Sequence, residues 1–170
     1  MSALTLVTYT PAYAAEFATL NYAWIEAYFA IEAEDRAALE APQAYALDAG
    51  GEIFFLLEAG VPVGTVAMVP FKGSSNGKAF ELAKMAVRED RRGRGYGQHL
   101  MRACLDFART QSADEIVLIT NDVLEPALRL YRRWGFVAMP ANTDTRYARG
   151  NLEMRLTLNA PSSTGADTEI

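Results

Sequence analysis

One cysteine, Cys104, and one histidine, His99, are all the soft metal ligands that 170 residues provide. A lone cysteine excludes an internal disulfide and a thiolate zinc cluster. A lone histidine argues against a histidine-rich metal site, so no metal is expected. No apolar run approaches the length of a bilayer span, and no membrane partner is expected. The first residues, MSALTLVTYT, lack a basic region followed by an apolar block and do not read as a signal peptide. A surplus of positive charge is missing too. The net charge of −5 speaks against a general grip on nucleic acid. Together these absences predict a cytoplasmic protein without metal.

What is present is ordinary for a soluble domain, with 51% hydrophobic and 22% charged residues. The length fits one domain, expected over residues 1–158. The last segment, 159–170, is small and polar and is expected to be a disordered tail. The charge is unevenly spread. Up to Glu58 there are nine acids and one base, Arg36; from Ala59 on, twelve acids face fifteen bases. Such a split fits a cationic partner at the front half and an anionic one at the back, or simply solvated surface.

LTLVTYT alternates and stops at Pro11, which predicts a first strand. Phe17, Leu20, Trp24, Ile25 and Tyr28 recur at helical spacing between Ala12 and Ala30. A shorter helix is expected from Ala33 to Ala41. EIFFLLEAG and VPVGTVAMVPF read as two strands joined near Gly60, and KAFELAKMAV as a fourth, central one. Gly95 to Arg109 is amphipathic: Leu100, Met101, Cys104, Leu105 and Ala108 share one face, and His99, Arg102, Asp106 and Arg109 the other. EIVLIT reads as a buried fifth strand. Pro126 suits the start of a helix ending at Trp134, with Gly135 as its stop. FVAMP and NLEMRLTL complete the order β-α-α-β-β-β-α-β-α-β-β, an α+β or mixed-sheet domain.

RRGRGYGQHL, from Arg91 to Leu100, is the segment that points to chemistry. Backbone N–H groups at a helix start have no intrahelical partners, and that end of the helix dipole is positive. A phosphate group fits there. Gly93, Gly95 and Gly97 let the backbone approach such a ligand, and Arg91, Arg92 and Arg94 add charge. A glycine-rich surface turn with solvated arginines is the plainer alternative. Two phosphate folds fail. A dinucleotide fingerprint needs glycine where Gln98 stands, and a P-loop needs a Gly-Lys-Ser/Thr run that is absent.

A third pattern fits. Arg92-Gly93-Arg94-Gly95-Tyr96-Gly97 resembles the Arg/Gln-x-x-Gly-x-Gly/Ala signature of the GNAT superfamily of N-acetyltransferases. ELAKMAV before it looks like that family's fourth strand. ALRLYRRWGF after it looks like the late helix, with its Leu-Tyr pair and closing Gly-Phe. The resemblance runs to about Leu158. It implies a central, mostly antiparallel sheet, split between the fourth and fifth strands and flanked by helices. It also implies that acetyl-CoA lies in that split, its pyrophosphate on the loop from Arg92 to Gln98 and its pantetheine arm along Met85, Ala86 and Val87.

The resemblance further implies direct attack by an amine, with Tyr131 as the general acid. Tyr131 also sits on an apolar stripe with Ala127, Leu128 and Trp134, which is equally a core position. Glu81, taken to alternate onto the face of Ala83, Met85 and Val87, is the candidate base; the plainer alternative is a salt bridge with Lys84 or a neighbour. The family commonly has Asn where Leu124 stands, so Asn121 is expected to supply that amide to CoA. Tyr28, Phe29, Glu32 and Tyr147 are expected to border the pocket of a small amine. His99 is expected at the surface and Cys104 to be inert. The function expected is acetyl transfer from acetyl-CoA to a primary amine of a small molecule or amino acid. An acyl-CoA-binding sensor without turnover, acetylation of protein N-termini or lysines, and assembly as a homodimer are left open.

Overall fold

The structure, a computed structural model, describes residues 3–74, 77–139 and 150–158. The expected order of strands and helices is present. β1 (Leu4–Thr8) leads into α1 (Ala14–Tyr28) and α2 (Ala33–Leu39). β2 (Glu52–Glu58), β3 (Val61–Phe71) and β4 (Ala79–Val87) follow. Then come α3 (Tyr96–Thr110), β5 (Glu115–Thr120), α4 (Glu125–Arg133), β6 (Val137–Ala138) and β7 (Leu152–Thr157). A π-helical turn at Gln43–Leu47 was not expected from the sequence. The segment 159–170 and Tyr147 lie outside the described residues.

The strands form one sheet in the order β1-β2-β3-β4-β5-β7-β6. Every neighbouring pair is antiparallel except β4 and β5. That parallel pair is short: Ala79, Phe80 and Glu81 match Glu115, Ile116 and Val117. β4 then continues to Val87 and β5 to Thr120 without pairing to each other, so a split opens between them. The hairpin from β2 to β3 turns through Ala59 and Gly60, at φ 50° and 80°. Positive φ at both central residues is the turn whose twist matches its strands.

Two cores lie on opposite faces of the sheet, because alternate residues of a strand point to opposite sides. Val66, Met68, Phe80 and Leu82 meet Leu100, Met101, Cys104 and Leu105 of α3 on one face. Ala67, Val69, Phe55 and Ile53 meet Phe17 and Ile25 of α1 and Leu39 of α2 on the other. The apolar stripe expected for α3 is buried throughout, and His99, Arg102, Asp106 and Arg109 are exposed. Leu100 is fully buried, so truncation to alanine is expected to cost about 2–5 kcal/mol.

One irregularity decides what faces the split. Thr65 pairs with Ala86 and Ala67 with Ala83, so Lys84 and Met85 together oppose Val66. This is a β-bulge, with Lys84 in the left-handed region at φ 55°. The bulge resets the alternation and overturns the expected face of Glu81. Glu81 and Ala83 share the face of α1, whereas Met85 and Val87 pack against the α3 core.

Candidate active site

Two clefts meet at the split. The first lies on the side of α1 and is lined by Asn21, Trp24, Ile25, Phe29, Glu81, Lys84, Asn121, Leu124 and Tyr131, among others. The second opens at the start of α3 and is lined by Met85, Ala86, Val87, Arg91, Arg92, Gly93, Gly95, Tyr96, Gly97 and Tyr131, among others. Trp24, Met85 and Tyr131 line both and so mark the junction.

The glycine loop is built for close approach in two of its three positions. Gly93 and Gly95 have φ 77° and 78°, which disfavours any side chain, and a Cβ on either would meet nothing within 4 Å. Gly95 is the N-cap of α3, and no side chain caps that helix. Gly97 lines the same cleft and has a packing role besides. A Cβ there would stand 3.0 Å from Cδ2 of Leu130, so this glycine lets α4 pack closely on α3.

The flanking side chains divide similarly. Arg92 donates from Nε to the Val87 carbonyl at 3.1 Å, bracing the loop against the end of β4. Arg91 is engaged by Glu58, whose other carboxylate oxygen accepts from the Tyr96 hydroxyl at 2.9 Å. The hydrogen bond from Arg91, aided by that of Tyr96, holds the Glu58 carboxyl below the usual carboxylate range. Tyr96 is buried in the core and also lines this cleft. Arg94 is exposed and outside the cleft lining. Gln98 is also outside it, its amide oxygen accepting from the indole N–H of Trp134.

At the junction, Tyr131 is half-buried, and burial pushes its phenol up to about 12. Its ring lies 6.0 Å from that of Phe136. Glu81 is 4% exposed and enters the first cleft from β4. Asn121 is brought to this first cleft, not to the glycine loop. Its side-chain oxygen accepts from the Val123 N–H at 2.9 Å, closing the turn into α4. Burial raises the thiol of Cys104 well above its ordinary value, which keeps it neutral.

Of the expected acceptor residues, Phe29 lines the first cleft. Tyr28 is 54% exposed and outside the lining, with its ring 5.8 Å from that of Trp24. Glu32 caps α2 in a reciprocal pair with Asp35. The sequence reading missed Asn21 and Lys84. Asn21 carried a usable signal: it falls four residues after Phe17 and four before Ile25, a polar residue on an apolar stripe. It is 2% exposed and its amide donates to the Phe17 carbonyl at 3.0 Å. Lys84 had no such signal, because only the bulge turns it toward α2.

Comparisons with known proteins agree with this fold. The family model described as "Acetyltransferase (GNAT) family" matches residues 17–136. N-acetyltransferase family 8 member 2 of Rattus norvegicus is 35% identical over 91 residues, 53% of this chain and 40% of that protein. The chain thus matches about two fifths of that relative's length. An acetyltransferase of the GNAT family from Staphylococcus aureus superimposes with a TM-score of 0.79 at 21% identity, over 92% of this chain and all of that one. The Salmonella typhimurium protein yncA, solved with its cofactor acetyl-CoA, gives 0.71 at 19% identity over 96% of this chain and 99% of that one. At such identities these two likenesses show the fold.

Proposed function

The chain belongs to the GNAT acetyltransferase family, and from that premise we propose that it transfers the acetyl group of acetyl-CoA to a primary amine of a small molecule. The observation that carries this reading is the junction of the two clefts at Tyr131. One cleft has an anion-binding backbone and the other a buried carboxylate, and a neutral phenol stands where they meet.

The residues present fit the CoA moiety. At Gly93 and Gly95 the backbone is open and lacks the side chains that would fill the approach, and the start of α3 has no side-chain cap. Gly93, Gly95 and the N–H groups of the first turn of α3 would hold the pyrophosphate, with charge from Arg92 and the helix dipole. The stretch of β4 from Met85 to Val87, paired with β3 on one edge and facing the split on the other, would hold the pantetheine arm through backbone groups on that open edge. When bound, acetyl-CoA supplies an activated acyl group that an amine can attack.

The chain's own residues then have distinct tasks. Glu81 takes the amine's proton, directly or through water, and so provides the free lone pair that attack requires. Its burial keeps this carboxylate beside an apolar wall of Ile25 and Phe29. Tyr131 donates its hydroxyl proton to the departing thiolate. A phenol whose value is about 12 is neutral, and therefore able to donate, at any physiological pH. Trp24 and Phe29 exclude water and hold the apolar part of the acceptor. Thiol release from acetyl-CoA across a panel of amines tests the reading. Release that depends on added amine supports it; CoA binding without release sinks it in favour of a non-catalytic acyl-CoA sensor.

A further inference from the structure

Lys84 combines two costly features at the wall of the first cleft. Its backbone is left-handed, although it is not glycine, and its ammonium is buried. Ala59 and Ser112 also have positive φ, but both lie in turns; among the described residues Lys84 is the non-glycine case inside a strand. The bulge carries its side chain to the face of α2, where Nζ lies 2.9 Å from Oδ1 of Asp35. The side chains are 6% and 0% exposed. Asp35 is itself fixed, because its Oδ2 accepts from the Glu32 N–H at 2.8 Å in the capping box of α2.

A buried ion pair is weak support for stability, since desolvation offsets most of its attraction. An apolar pair of similar shape would hold α2 to the sheet as well. What an apolar pair would not do is fix a length and a direction. We infer that Lys84 and Asp35 are a positioning pair for acetyl transfer, a tether that sets β4 against the wall of α1 and α2. The tether attaches at the bulge itself. On one side of it Glu81 faces the first cleft, and on the other Met85 begins the stretch that borders the second. Its length therefore sets where the amine's base stands relative to the acyl group. The inference rests on the functional reading above.

The test compares the parent with Lys84→Met/Asp35→Asn, a double variant that removes both charges of the pair together. Calorimetric titration with CoA counts the folded sites and gives their affinity, and amine-dependent thiol release gives kcat per site. We expect CoA affinity within about threefold of the parent and kcat lower on the order of a hundredfold, the cost of a misplacement near 1 Å. Lys84→Arg, which keeps the charge but changes the tether's length and shape, should bind CoA as the parent does and still lose rate. Parent kcat per site in the double variant overturns the inference. So does a loss of CoA affinity in step with the rate, which marks a general loosening of β4, and so does a Lys84→Arg variant with the parent's kcat. If the double variant does not fold, Asp35→Glu, which keeps the charge and changes the tether's length, reads the same split; an unchanged kcat there overturns the inference. A parent that releases no thiol with any amine overturns the functional reading and the pair's role with it.

Discussion

Tyr131→Phe removes one oxygen at the junction of the two clefts and keeps the ring that packs on Phe136. Loss of a proton donor to the leaving group is expected to lower kcat on the order of a hundredfold, about 2.7 kcal/mol of barrier. CoA affinity should not change, because the glycine loop and the edge of β4 are untouched. The structure adds a sharper forecast for the parent. Burial pushes the phenol to about 12, so at pH 10, where an ordinary tyrosine is half ionised, only about one molecule in a hundred has lost the proton. The parent's rate should therefore rise with pH as the amine deprotonates, with no loss from the phenol up to about pH 10. The assay is thiol release at saturating acetyl-CoA from about pH 6 to about pH 10. A parent rate that halves near pH 10 refutes an acid with a raised value. A Phe variant at the parent rate refutes any role for the hydroxyl and leaves Tyr131 as a packing residue.

Gly95→Val forces a branched residue into the left-handed region at φ 78° and projects it into the loop's open space; calorimetry should show CoA binding weaker by tenfold or more, about 1.4 kcal/mol. The melting temperature should fall only a few degrees, as about 1–2 kcal/mol of backbone strain implies. Glu81→Gln should keep CoA binding, lose rate at neutral pH and recover as alkali deprotonates the amine unaided; profiles parallel to the parent's would remove Glu81 from the mechanism. Cys104 and Tyr131 are both kept neutral by burial, with folded values above the ordinary 9.0 and 10.0. Between ordinary and folded values the unfolded chain has lost a proton that the fold retains, so stability is full below about pH 9 and falls as pH rises above it. Urea midpoints should be level from about pH 6 to about pH 8 and drop by about pH 10.5, and drop less in Tyr131→Phe.

Much of this was legible in the residues. Period and punctuation gave every strand and α-helix, since the stripe of α3 and the unbroken EIVLIT admit few other readings. The stop at Gly135 was legible because only a residue tolerant of φ 100° ends that helix cleanly. What escaped was whatever depends on two segments meeting. That Gly97 serves helix packing follows from Leu130, thirty-three residues on. That Arg91 is held by Glu58 follows from a strand pairing the local sequence does not encode. The face of Glu81 was misread because period-two alternation assumes a regular ladder, and a bulge breaks it without any glycine or proline to announce it.

That bulge explains how one strand serves two sites. A regular β4 would put Glu81, Ala83, Met85 and Val87 on one face, so the base and the residues that line the CoA cleft would compete for the same space. The extra residue sends Glu81 and Lys84 toward α1 and α2 and Met85 and Val87 toward α3. Beyond Glu81 this strand stays paired with β3 on one edge but has no strand on the other, because β5 has parted from β4 after Val117. Backbone N–H and C=O groups at a half-buried open edge need partners, and under the proposed function an extended amide-bearing ligand arm would supply them at the point where the two clefts join. On that proposal the split in the sheet would make room for the ligand, and the bulge would keep the acceptor's chemistry on the other side of the strand from the ligand's support.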